Sequence, residues 1–477
     1  GYHLDMVRSE IEDVVGPENV LDRPVDRLAY SADIFWVPVM WVDRGLKPPV
    51  PDLVVLPETV EQVSRLVRVA NVYRIPVIPW GGGSGSQGGV LPVYGGIVLD
   101  LKKLNRIIEI DETSLCVTAQ AGINGQQLEW ALQDRGLTLA HYPASIYTAT
   151  LGGYLAARGS GVLSTKYGKA EEMVMSLEVV SPTGRVVRTL PVPNHATGPG
   201  LLQLFVGSEG TLGVITEATM RVDPLPAERR FRAVLFPDLR RGLEAGRLMM
   251  TRRLRPSVIR LYDEEATAKV VRRVLGVEAR GAYMVLCFDG AYPDMVALEE
   301  EKGLQICREQ GGEDLGPEGG EHWWRHRYDF YYPPFAPALP QLFGTVETVC
   351  RYADIWRLYQ AKRRAILEGF REWGASYTAH FSHWYPWGVM VYDRFYVDSP
   401  PEDAHEAVRL HNRIWASAAR ASMANGGVLN EHHGIGLKLG WLMREQRGDA
   451  FELLQGIKDA LDPLGVMNPG KLGFRVP

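Results

Sequence analysis

Pro79-Trp80-Gly81-Gly82-Gly83-Ser84-Gly85-Ser86-Gln87-Gly88-Gly89 separates two apolar runs, 75–78 and 97–101. Six of the nine residues from 81 to 89 are glycine. Stripped of side chains, such a loop reaches positive φ and can turn successive backbone N–H groups into one concavity. That concavity suits a phosphate or pyrophosphate. A flexible surface linker is the plainer alternative, but linkers rarely sit between buried strands with so few polar side chains. No Lys-Ser/Thr pair comes after the glycines, which excludes a Walker loop. The apolar run downstream reads as strand rather than helix, which separates the loop from the usual dinucleotide fingerprint.

Upstream, 52–57 reads as a strand, and the spacing of Val60, Val63, Leu66, Val67 and Ala70 predicts a helix over 59–73 capped by Thr59. With a strand at 75–79, this predicts a β-α-β unit whose phosphate loop comes after its second strand. Further strands are expected within 106–120 and 176–188. Between them, Leu151-Gly152-Gly153-Tyr154-Leu155-Ala156-Ala157-Arg158-Gly159-Ser160-Gly161 places two glycines before a small-residue helix. Small residues there permit close approach to something flat, or tight helix–sheet packing. A third glycine cluster, 206–216, separates a helix from about Leu201 and a strand.

After Asp223-Pro224-Leu225-Pro226 the texture changes to Arg-rich helices, an aromatic-dense stretch at 322–335 and fewer glycines. We expect an α+β protein of two domains: a cofactor domain over 1–225, a substrate (cap) domain of antiparallel sheet plus helices over 226–425, and a segment, 426–477, that returns to the first. A half-buried strand pair is expected over 377–397. At 477 residues, 46% hydrophobic and 23% charged, the chain has ample material for large cores. A net charge of −5 with no basic run points away from nucleic acid. Four scattered cysteines without a CxxC read as buried thiols in a reducing compartment. No apolar segment approaches a membrane span and the start lacks signal-peptide character, so a cytoplasmic protein is expected.

The three glycine segments, in this order, resemble the flavin domain of the vanillyl-alcohol oxidase / p-cresol methylhydroxylase family. Within it, 156–161, 196–199, 259–263 and 380–385 look like the alkylglycerone-phosphate synthases and their bacterial relatives. The ending Gly-Val-Met-Asn-Pro-Gly-Lys-Leu is shared more with the D-lactate and D-2-hydroxyacid dehydrogenases. The resemblance implies FAD. Its pyrophosphate would rest on Gly81, Gly82, Gly83, Ser84 and Gly85 after Pro79. The isoalloxazine would lie near Pro143, Ala144, Ser145 and Thr150, against Gly152, Gly153, Arg158, Gly159, Ser160 and Gly161. Glu209, Gly210, Gly213, Val214 and Ile215 would complete that wall, with Asn468 and Lys471 from the tail. Many relatives attach the flavin through a His in or near the first loop. Here that loop holds neither His nor Cys, so non-covalent FAD is expected. Trp80 stands where relatives often carry Arg.

Flavin chemistry asks the protein to place a carbon and manage a proton. Two tight pairs, His380/His383 and His432/His433, are candidate proton handlers with Tyr392, because imidazole exchanges protons near neutrality. His405 and His411 read as helix-surface residues. Arg260 is the candidate anion clamp, its fork matched to carboxylate or phosphate, against a surface salt bridge with Asp263 or Glu264. The aromatic run Trp323, Trp324, His326 and Tyr328 to Tyr332 suits either a substrate tunnel or domain-interface core. No metal is assigned, although His380 and His383 beside Glu431 leave a divalent ion as an alternative.

The reading favoured is an FAD-dependent oxidoreductase that takes a hydride from a hydroxy acid or related alcohol. Alternatives are a redox-neutral alkylglycerone-phosphate synthase-like transferase and a flavin-binding subunit without independent turnover. A small-molecule substrate and a homodimer are expected; peripheral contact with a membrane stays open by analogy.

Overall fold

The computed structural model describes residues 3–331 and 334–477; Tyr332, the end of the aromatic run, lies outside the described residues. The apolar face expected at 60–73 forms as read. Helix Val60–Tyr73 buries Val63, Leu66, Val67 and Ala70, and the Thr59 hydroxyl accepts the Gln62 N–H at 3.2 Å. It joins strand Leu53–Val55 to strand Val77–Trp80, but those two strands are not neighbours. Both run parallel to Ile97–Asp100, which enters between them. Burial is the reason: Ile97, Val98 and Leu99 are almost wholly inaccessible, which suits a central parallel strand covered on both faces. The glycine loop therefore leaves the carboxyl end of Val77–Trp80, the edge where open α/β sheets bind ligands. The tail returns to the same strand. Val77 N–H donates to the Val466 carbonyl, and Asn468 N–H to the Val77 carbonyl, both at 2.8 Å.

A second sheet is antiparallel, in the order Ile107–Asp111, Cys116–Gln120, Val214–Arg221, Val174–Val180, Val186–Arg188. Helix Leu151–Ala157 packs on it. Gly152 and Gly153 lie inside the first turn of that helix rather than before it, and Thr150 caps it by accepting the Gly153 N–H. A Cβ on Gly152 would stand 2.9 Å from the Ala121 Cβ, so the small residue serves helix–sheet packing.

The third sheet has eight antiparallel strands and holds Val258–Tyr262, Ser376–Trp384 and Gly388–Val397 near its centre. The strand pair expected to be half-buried is buried on both faces. Helices Leu239–Thr251, Tyr352–Leu367 and Ala404–Ala424 contribute to the core on one side. On the other, Val258, Tyr262, Tyr283 and Val285 share a core with Tyr142, Tyr154 and Leu155. No helix among the described residues is long and apolar enough to cross a membrane. The four cysteines are free thiols, with Cys116 partly exposed and the other three buried.

Candidate active site

A cavity of about 660 Å³ lies between the glycine loop, helix Leu151–Ala157 and the large sheet, within the size range of cofactor and ligand sites. Its wall takes in Pro79, the loop from Gly81 to Gly85, Pro143, Ala144, Ser145, Thr150, Gly152 and Gly153. Gly159, Ser160, Gly161, Glu209, Gly210, Gly213 and Ile215 line it too.

Four residues expected at the cofactor do not. Arg158, in the left-handed conformation after the helix, turns its guanidinium onto the carbonyls of Val206 and Gln203. Val214 is fully buried in the core under the parallel sheet. Asn468 donates to the carbonyls of Gly89 and Glu209, and Lys471 to that of Leu91. They brace the wall from behind.

Among the described residues, none of the backbone N–H groups from Gly81 to Gln87 donates to a protein acceptor. The Ser86 hydroxyl is buried without a hydrogen-bond partner among the described residues. A row of unpaired donors on a cavity wall fits the pyrophosphate of FAD. A Cβ on Gly82 would overlap the Thr148 carbonyl, so the two lining segments approach only through glycine. Asp33, which no motif marked, holds the loop's far end by accepting N–H groups of Phe35 at 2.8 Å and Gly88 at 3.0 Å.

The histidines occupy another part of the wall. Glu431 Oε2 accepts Nδ1–H from His383 at 3.0 Å and from His432 at 2.7 Å, and Oε1 accepts the Tyr385 hydroxyl. Lys169 donates to the Glu431 carbonyl, and the Ser160 hydroxyl touches the His383 ring at 3.2 Å. His433 Nδ1 pairs with Glu347 instead. The Asn430 side-chain carbonyl accepts both N–H groups of His432 and His433, which fixes the two rings 4.0 Å apart. Tyr392 faces both rings at 5.6 and 5.8 Å, and His380 stacks on Tyr392 at 4.6 Å.

Burial alone would raise both carboxyls. The charges of His383 and Lys169 and the hydrogen bonds from His383 and His432 instead hold Glu431 well below the usual range, and His433 does the same for Glu347. Burial lowers His433 despite Glu347. Burial and the charges of Arg260 and Arg394 drive His380 far below an ordinary imidazole, so it stays neutral. Burial pushes the Tyr392 phenol up to about 12. With the carboxylates ionised, Nδ1 carries the proton and Nε2 is the free acceptor of His432 and His433.

Arg260 is only 5% exposed. It donates to the Tyr262 hydroxyl at 2.9 Å and reaches that of Tyr331 at 3.5 Å. The alternative salt bridge does not form. Asp263 accepts from the Ala266 N–H and the Tyr359 hydroxyl, Glu264 accepts the Leu239 N–H, and no carboxylate pairs with Arg260 among the described residues. Arg394, which no sequence motif marked, lines the same wall and donates to the Tyr392 hydroxyl at 2.9 Å.

His411 is not a surface residue: it is buried, stacked on Trp36 at 5.3 Å, and lines the cavity. The aromatic run divides, with Trp323 fully buried in the core and Phe330 and Tyr331 on the cavity wall. His380 stands outside the cluster that could hold a divalent ion. There His383, Glu431 and His432 each bring a donor atom within 4.8 Å of the others, and Nδ1 of both histidines is hydrogen-bonded to Glu431 Oε2.

Residues 51–190 match the FAD binding domain family, and residues 225–472 match the C-terminal domain of FAD linked oxidases. The chain belongs to the FAD-linked oxidase family. FAD is accordingly the cofactor of this FAD-linked oxidase. It is 29% identical over 488 residues to the alkyldihydroxyacetonephosphate synthase of Dictyostelium discoideum, covering 96% of this chain and 79% of that one. It is 31% identical over 436 residues to a probable mitochondrial D-lactate dehydrogenase of Danio rerio, covering 88% and 84%. In fold it matches p-cresol methylhydroxylase with a TM-score of 0.78 over 98% of this chain and 96% of that one, at 19% identity. The α+β, two-domain FAD-oxidase architecture read from the sequence is the observed one.

Proposed function

We propose that this FAD-linked oxidase removes a hydride from the carbinol carbon of a hydroxy acid or related alcohol. One observation carries the reading: a cavity wall joins two carboxylate-anchored imidazoles to a buried arginine that has no carboxylate partner among the described residues. Bound FAD, held non-covalently by the glycine loop and the 143–161 wall, supplies the two-electron acceptor. The imidazole Nε2 of His433 or of His432 is the acceptor for the hydroxyl proton. The Arg260 guanidinium takes the acid group, whose charge offsets its own burial. Neutral His380 and the Tyr392 phenol offer uncharged hydrogen-bonding groups beside the reacting carbon.

A second reading has support in Arg394. Two guanidinium groups on one wall also suit a phosphate, which accords with the name of the Dictyostelium relative, an alkyldihydroxyacetonephosphate synthase, and with the redox-neutral transferase alternative. Anaerobic absorbance of the FAD-loaded protein near 450 nm separates the two. Loss of the band on titration with one of a panel of hydroxy acids and alcohols supports the dehydrogenase. A band that persists through the panel but shifts with an acyl dihydroxyacetone phosphate supports the synthase.

A further inference from the structure

Glu347 sits in a two-residue gap between strands Leu342–Thr345 and Thr348–Arg351, both paired to Gly388–Val397. No motif marks it, yet its side chain is fully buried against the histidine pair. Oε1 accepts from His433 Nδ1 and, at 2.6 Å, from the Asn430 amide. The Gln87 amide, from the glycine loop itself, reaches the same oxygen at 3.5 Å. Oε2 is buried with no hydrogen-bond partner among the described residues.

The two imidazole–carboxylate pairs are therefore unequal. Both oxygens of Glu431 are engaged, by two imidazoles and the Tyr385 hydroxyl, and the Lys169 ammonium lies 3.9 Å from one of them. Little of that charge is left for a new cation. Glu347 hydrogen-bonds one imidazole, with His432 and Lys438 acting on it through charge alone, and keeps one oxygen without a hydrogen bond among the described residues. The rings differ too: both line the cavity, and the His433 side chain is 24% exposed, that of His432 only 10%.

We infer that Glu347 is the positioning residue of the reaction, and that His433 rather than His432 takes the proton. The inference rests on the dehydrogenase reading above. Glu347 holds Nδ1–H, which fixes the tautomer and leaves Nε2 basic. As the substrate O–H bond breaks, an N–H bond forms at Nε2 of His433 and the imidazolium is held against the Glu347 carboxylate. The C–H electron pair leaves with the hydride that FAD accepts, and the carbonyl closes. Atoms and charge balance without a further reactant. Such an arrangement makes the carboxylate matter to the chemical step and not to substrate binding.

The test uses FAD-loaded wild type, Glu347→Gln and Glu347→Asp in anaerobic stopped flow with a hydroxy acid that bleaches the wild type. If none bleaches the wild type, the dehydrogenase reading itself fails, and this inference with it. Given a reducing substrate, Glu347→Gln is expected to slow the limiting rate about 100-fold while half-saturation moves less than about threefold, and Glu347→Asp is expected to recover about tenfold of that loss. A limiting rate for Glu347→Gln within about threefold of wild type overturns the inference while leaving the reading intact. Should neither variant load flavin, His433→Asn and His432→Asn decide. The inference requires the first to lose about 100-fold and the second less than about tenfold; any other pattern overturns it.

Discussion

Replacing Arg260 by methionine is expected to make the protein more stable and less able to hold its substrate. The guanidinium is buried with no carboxylate among the described residues, so its desolvation is not offset by an ion pair. Its hydrogen bonds to Tyr262 and Tyr331, at 2.9 and 3.5 Å, return about 1–2 kcal/mol. Its place 5.6–5.7 Å from the rings of Tyr262, Trp323 and Phe330 returns about 1–2 kcal/mol more. Against a burial cost of several kcal/mol, methionine of similar reach comes out ahead by about 1–3 kcal/mol. If the 477 residues unfold together, that raises Tm by about 1–3 °C. On the proposed hydroxy-acid reading, the same change removes a charge-assisted contact to the substrate acid and is expected to weaken Kd about 10- to 150-fold. Scanning calorimetry of FAD-loaded protein reads the first quantity and anaerobic titration the second. A lower Tm with an unchanged Kd would refute the reasoning and make Arg260 a structural brace.

The geometry sets two further outcomes. Gly82→Ala puts a Cβ onto the Thr148 carbonyl, so one wall of the cavity must move; FAD affinity is expected to fall about tenfold or more with the circular dichroism of the fold kept, and undiminished affinity would count against the close approach. Burial pushes the Asp263 carboxyl up to about 7, over hydrogen bonds from the Ala266 N–H and Tyr359 hydroxyl. Its folded form thus keeps a proton that the unfolded chain has lost, and stability contributed below the unfolded value is lost as pH rises through about 7. The amount is on the order of 4 kcal/mol at most. Asp263→Asn lacks this loss, so its stability relative to wild type should climb between pH 5 and pH 8 in urea unfolding; a constant difference would mean that Asp263 does not titrate there.

The glycine segments were legible because what they require is local. A loop that offers consecutive N–H groups, or a helix turn pressed against Ala121, tolerates no Cβ, and glycine is the only residue without one. The cap at Thr59 and the buried face of 60–73 were legible for the same reason, since both are settled within one turn or two. These elements marked an anion-binding loop and its scaffold; flavin was implied by their resemblance to a known family, and the two histidine pairs stood out because imidazole exchanges protons near neutrality.

Tertiary structure decided the rest. The strand Ile97–Asp100 entered the middle of its sheet, between two strands that the helix connects in sequence, and all four of its residues are buried there. His411 carries an ordinary helical position in the sequence, and it is covered by Phe35 and Trp36 from the other end of the chain and by Phe395. Each carboxylate partner was likewise assigned by the fold: Glu431 adjoins His432 in sequence, but Glu347 reaches His433 across 86 positions. Arg260 could be proposed as a clamp from its place in a strand, but its freedom from Asp263 and Glu264 depended on Tyr359 and Leu239 claiming those acids first. A backbone requirement is written where it acts, whereas a charge finds its partner only after distant segments have been brought together.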